Sequence, residues 1–218
     1  MDTEEFFAVQ ANEPPVRGIL HLPSSLSGDC LVLTHGAGSD CNALLLIALA
    51  EAFSLSGITV LRCDLPFRQS RPHGPPPRGS AERDQQGLRA AIASMRQHAP
   101  RRMFLGGHSY GGRQASMLAA AEPDLVDSLL LLSYPLHPPQ RPNEMRTAHF
   151  PHLQTPALFV HGTRDGFGSI EEITAALKLI PAQTELMPIS GGGHELATER
   201  NREDVAEKIV KVFLSFAK

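Results

Sequence analysis

The chain has 218 residues, 42% of them hydrophobic, with 20 Lys and Arg set against 23 Asp and Glu for a net charge of −3. That length suits one domain, residues 1–218, with a substantial core, and the slight acidity without any basic run argues against a nucleic-acid partner. No apolar run approaches the ~20 residues of a membrane helix, and an acidic start (Met1-Asp2-Thr3-Glu4-Glu5) with three unpaired-looking cysteines (Cys30, Cys41, Cys63) reads as a reduced, cytoplasmic protein without a membrane partner.

Phe6 to Gln10 and Val16 to Leu22 read as two strands around a turn at Asn12-Glu13-Pro14-Pro15, an antiparallel edge for a larger sheet. A polar turn, Ser24 to Asp29, leads to Cys30-Leu31-Val32-Leu33-Thr34, a continuous apolar run of the kind buried on both faces. His35-Gly36-Ala37-Gly38 follows it. Asn42 to Ser56 then reads as a helix, with Ser39 or Asp40 as N-cap and Gly57 at its end. Ile58 to Cys63 is the next strand, ending at Asp64.

Phe67 to Gly79 carries Pro75-Pro76-Pro77 and is expected as a loop throughout. Ser80 to His98 reads as a helix capped by Ser80. Arg101 to Leu105 is a strand, Arg113 to Ala121 a helix, and Asp127 to Ser133 another strand with four consecutive leucines. Tyr134 to Gln154 is a second proline-rich connection. Pro156 to Val160 (strand), Ser169 to Ile180 (helix), Gln183 to Ile189 (strand) and Thr198 to Ala217 (helix) complete the chain. Strands alternating with helices imply parallel crossovers. The expected fold is an α/β three-layer sandwich, a mostly parallel central sheet with helices on both faces.

One stretch carries chemistry. Gly107-His108-Ser109-Tyr110-Gly111 stands between a strand and a helix, the context a nucleophile elbow requires. A serine hydroxyl is a weak nucleophile, so it needs a base, and the base needs an acid to orient it. On this architecture the order is serine, acid, histidine. Ser109, Asp165 and His194 follow it, each just past a strand; Asp64 also ends a strand but stands before the elbow. His35, Asp64, Ser109, Asp165 and His194 should therefore emerge on one edge of the sheet, where such folds bind ligands. Among the other histidines, His98 reads as solvated, His149 and His152 have only weak metal-like spacing, His161 shapes the turn before Asp165, and His108 packs. The oxyanion donors are expected to be the backbone N–H groups of Tyr110 and Ala37. Arg68, Arg71 and Arg78 decorate the loop after Asp64. They read as a solvated basic loop, or, in the sharper reading, Arg68 or Arg71 orients an anionic substrate.

Together these residues resemble the α/β-hydrolase superfamily from about Val16 to the closing helix. Arg62-Cys63-Asp64-Leu65-Pro66-Phe67, Gly111-Gly112-Arg113 and His161-Gly162-Thr163-Arg164-Asp165 resemble its small dienelactone-hydrolase-like branch and small bacterial hydrolases. True dienelactone hydrolases carry cysteine in the elbow, where this chain has Ser109. The resemblance implies hydrolysis of an ester-like bond through an acyl-enzyme, without metal or organic cofactor. Only Leu136 to Thr155 is available where relatives carry a cap, so no large cap domain is expected, and an open site favours small or exposed substrates. Carboxylesterase is the first reading. Thioesterase, lactonase and small-peptide hydrolase stand beside it, as does a non-catalytic interaction protein on the same fold. The residues demand no particular oligomeric state.

Overall fold

The four leucines Leu129 to Leu132 explain the architecture in miniature. Side chains alternate across a strand, so Leu129 and Leu131 enter one core while Leu130 and Leu132 enter a second. A strand with no polar face must be covered on both sides, and every buried strand of this sheet is.

The computed structural model describes residues 2–98 and 101–218. Its elements are β1 (Asp2–Ala8), β2 (Val16–Leu22), β3 (Cys30–Thr34), α1 (Leu44–Leu55), β4 (Thr59–Cys63), α2 (Pro66–Ser70), α3 (Ala81–Met95), β5 (Met103–His108), α4 (Tyr110–Ala121), β6 (Ser128–Leu132), β7 (Ala157–Gly162), α5 (Ile170–Leu177), β8 (Thr184–Ile189) and α6 (Arg202–Phe216). The strands form one eight-stranded sheet in the order β1-β2-β4-β3-β5-β6-β7-β8. β1 pairs antiparallel with β2, and β2 antiparallel with β4; every other pairing is parallel. α3, α4 and α5 cover one face through Leu88, Ile92, Leu118 and Ile173. α1 and α6 cover the other through Leu49, Phe53, Ile209 and Phe213, where Phe213 meets Phe53 and Phe104 edge-on. This is the expected three-layer α/β sandwich. Between β6 and β7 the chain forms only a short 3-10 turn at Phe150–His152, so no cap domain stands over the carboxyl edge.

Several local expectations give way to tertiary contacts. β1 starts at Asp2, well before Phe6, because its ladder with β2 runs from Asp2–Leu22 to Ala8–Val16. Residues 67–79 are not all loop. Pro66 at the first helical position opens α2, where its missing N–H goes unneeded, and Asp84 Oδ1 on α3 accepts the Phe67 N–H at 3.0 Å. α1 begins after Ala43, not at a Ser39 or Asp40 cap; Asp40 Oδ1 instead accepts the Asn42 N–H at 2.7 Å and closes a turn. Ser80 precedes α3 without a capping bond, its hydroxyl donating to Asp84 Oδ2 at 3.1 Å. Ser169, by contrast, forms a full capping box with Glu172 on α5.

Candidate active site

β5 delivers Ser109 to the carboxyl edge of the sheet, and α4 starts one residue later. Ser109 has φ 50° and ψ −114°, a backbone region that L-residues rarely occupy. Its N–H donates to Leu132 O at 2.8 Å, which pins the turn to β6. The flanking glycines are needed for space. A Cβ on Gly107 would lie 2.6 Å from Gly111 C and Gly112 N, and a Cβ on Gly111 would lie 2.5 Å from His35 O. The elbow can therefore close only where side chains are missing.

Two loops meet Ser109 there. The turn after β7 carries Asp165, and the turn after β8 carries His194. His194 Nδ1 lies 2.8 Å from Asp165 Oδ2 and 3.0 Å from Oδ1, and His194 Nε2 lies 2.8 Å from Ser109 Oγ. A carboxylate only accepts, so Nδ1 carries the proton and Nε2 is free to accept the serine proton. Burial works to raise the Asp165 pKa, but the hydrogen bonds from His194 and from the Phe167 N–H (2.9 Å) outweigh it. The net shift is below the usual carboxylate value. The Phe167 ring stacks on the His194 imidazole, centroids 4.2 Å apart, and limits its rotation.

The other expected site residues fall as follows. Ala37 and Tyr110 share a cavity of about 600 Å³ with Ser109. Tyr110 is the first residue of α4, so its N–H has no intrahelical acceptor, and the Ala37 N–H donates to no acceptor among the described residues. Asp64 is engaged elsewhere, accepting the Cys41 N–H at 2.8 Å and facing His35 Nε2 at 3.6 Å. His161 Nε2 bonds Gly168 O at 2.8 Å across the turn that carries Asp165, and His149 Nε2 pairs with Ser116 Oγ at 2.8 Å.

The expectation for Arg68 is corrected. Its side chain is buried, and its guanidinium donates to the backbone carbonyls of Ala37, Ser39, Arg71, Pro72 and Gly74 at 2.7–3.2 Å. It has no donor left for a substrate and acts as the internal frame of the two loops. Arg71 is exposed, packs its guanidinium against Gly74, and is not among the residues lining the cavity beside Ser109. The arginines that do line it are Arg78, Arg113 and Arg146.

Sequence reading missed further contributors. Asp84, fully buried, accepts from Tyr110 Oη at 2.7 Å and so holds the residue after the serine. His108 does more than pack: its Nε2 bonds the His194 carbonyl. The signal for Asp84 was present as an acidic residue on the apolar face of α3. Nothing in the local sequence marked Arg146.

A mostly parallel sheet with helices on both faces, and a serine–histidine–carboxylate chain at its carboxyl edge, defines the class of α/β hydrolases. A family model described as an alpha/beta hydrolase domain matches residues 27–217, and the chain belongs to that family. Among solved structures it is similar to Est1E from Butyrivibrio proteoclasticus (17% identity, 97% of this chain and 98% of that one, TM-score 0.76). It is similar also to a dienelactone hydrolase from Anabaena variabilis (21% identity, 99% of each chain, TM-score 0.75). A third is XC6422 from Xanthomonas campestris, described as an α/β serine hydrolase without lid (18% identity, 98% of this chain and 94% of that one, TM-score 0.75). At these identities the likeness is one of fold, and it is a fold without a cap.

Proposed function

We propose that the protein is a serine hydrolase that cleaves an ester-like bond in a small or exposed substrate, with carboxylesterase as the leading activity. The observation that carries this reading is the unbroken hydrogen-bond chain from Ser109 Oγ through His194 to Asp165. In the reaction, His194 Nε2 takes the Ser109 proton as Oγ attacks the carbonyl carbon. The tetrahedral oxyanion is held by the N–H groups of Ala37 and Tyr110, at the positive end of α4. The imidazolium, stabilised by Asp165 without proton transfer to it, then protonates the leaving group. Water, activated by His194, hydrolyses the acyl-serine and restores the enzyme. None of these steps calls on a metal or cofactor. No helix among the described residues is long and apolar enough to cross a membrane, and the three free, buried cysteines accord with the reducing cytoplasm as its compartment.

The test is hydrolysis of p-nitrophenyl esters of increasing chain length, with covalent labelling by a fluorophosphonate. Rates should fall with chain length, and both turnover and labelling should vanish in Ser109→Ala. A folded wild type that neither turns over nor labels would refute the hydrolase reading and favour a binding role.

A further inference from the structure

The cavity beside Ser109 has an unusual charge balance. Arg78, Arg113 and Arg146 all line it, and none forms an ion pair with an acidic side chain among the described residues. Arg78 is exposed, so its charge is solvated. Arg113 and Arg146 are half-buried, so theirs are not fully so.

Three features make Arg113 costly as the fold stands. It is the fourth residue of α4, in the first turn, where the helix dipole disfavours a cation. Its Nε is buried with no hydrogen-bond partner. No acidic side chain among the described residues pairs with it. Burial first, and then the charge of Arg113, pushes the His149 pKa down to about 4, so that imidazole is neutral. Tyr134 Oη donates to the Arg146 carbonyl at 2.7 Å and can still accept from the Arg113 guanidinium, but as a neutral phenol it brings no counter-charge. Asp84, on α3, already accepts from Phe67, Ser80 and Tyr110.

Arg146 has the matching deficit. Burial, and then Arg113, lowers its pKa, and its only side-chain acceptor among the described residues is Pro135 O at 3.3 Å. Glu144, the carboxylate that Arg146 feels, is paired with Arg141, so two guanidinium groups that line one cavity are left to repel each other in a partly dry site. A carboxylate between them would accept from both forks and offset desolvation and repulsion together.

We infer that Arg113 and Arg146 form a carboxylate-binding subsite beside Ser109, so that the substrate is an ester-like compound carrying a free carboxylate within reach of its scissile bond. This rests on the serine-hydrolase reading for the word substrate, but the subsite itself can be read without turnover. A cavity of about 600 Å³ accommodates a short dicarboxylic hemiester. The site differs from the one expected from sequence, because Arg68 serves the backbone and Arg113 comes from the helix behind the nucleophile.

The experiment is calorimetric titration of the Ser109→Ala protein with monomethyl glutarate and dimethyl glutarate, which share a frame and differ by one charge. Charge-assisted contacts of this kind predict about 10–100-fold tighter binding of the hemiester. That preference should disappear when Arg113→Gln or Arg146→Gln is added, and persist with Lys208→Gln, an exposed α6 change of equal charge. Equal binding of the two esters, no hemiester binding at millimolar concentration, or a preference surviving both arginine changes would overturn the inference. Tighter binding of inorganic phosphate than of the hemiester would overturn the carboxylate assignment. An inert wild type with intact hemiester preference would refute the hydrolase reading and leave the subsite standing. An active wild type whose kcat/KM ignores the carboxylate would refute the subsite alone.

Discussion

His108 Nε2 lies 2.8 Å from the carbonyl oxygen of His194. The carbonyl accepts, so Nε2–H donates, and the residue before the candidate nucleophile tethers the backbone of the candidate base. Burial holds the His108 pKa below its ordinary value, which keeps the ring neutral and its donor in one tautomer. The three glycines before His194 make that loop soft, and the tether offsets the softness. Removing it as His108→Ala should lower kcat about 10–100-fold with little change in KM, by displacing the imidazole. His108→Gln, whose amide N–H reaches the same carbonyl, should restore much of the rate. An Ala variant with wild-type kcat would show the tether to be dispensable.

Asp165 should matter through the tautomer of His194. Asp165→Asn keeps the shape but offers an N–H where an acceptor is required, so kcat should fall by about 10³–10⁴. Burst kinetics with an activated ester measure this directly. A loss below tenfold would mean that another group orients His194.

Arg68 should behave as a structural residue. Arg68→Ala leaves the carbonyls of Ala37, Ser39, Arg71, Pro72 and Gly74 without their donor. The expected loss is about 3 kcal/mol in urea unfolding, the order for abandoning several partly buried acceptors. Activity on acidic and neutral esters should decline together, because the Ala37 loop is disturbed for both. A selective rise in KM for acidic esters with unchanged stability would contradict this.

Stability should fall as pH drops from 7 to 5. Burial, followed by the nearby arginine, holds the His21 and His149 pKa values at about 4, against 6.5 in the unfolded chain. Between those values the unfolded state binds protons that the native state refuses, so stability rises with pH across this window. Urea midpoints at pH 5, 6 and 7 measure the slope. His149→Gln should flatten it by up to one proton, since Ser116 Oγ can donate to the new carbonyl. An unchanged slope would remove His149 from the explanation.

The cysteines should be silent in the native state. All three are buried, and burial pushes the thiols of Cys30 and Cys41 up to about 12. Iodoacetamide at pH 8 should modify them only with the kinetics of unfolding. Fast alkylation of the folded protein would contradict the buried environment.

Most of the sheet is legible in the sequence alone. Runs such as Cys30 to Thr34 are apolar at every position, and only a strand covered on both faces makes use of that. Strands alternating with helices then constrain handedness and the edge on which ligands sit. The elbow was legible because its requirements are local: Gly107 and Gly111 make room within a few residues of Ser109. The order of Asp165 and His194 along the chain followed from the strands that carry them. What remained hidden depends on which distant segments become neighbours. Asp84 caps α2 from another helix, Arg68 reaches Ala37 across 31 residues, and His108 reaches the His194 carbonyl across 86. Periodicity reports burial and backbone shape, which neighbouring residues decide among themselves. The partner that a cation or a buried carboxylate finds is set by the packing of loops from separate strand ends, and that is why the sequence pointed to Arg68 and Arg71 while the folded chain brings Arg113 and Arg146 to the serine.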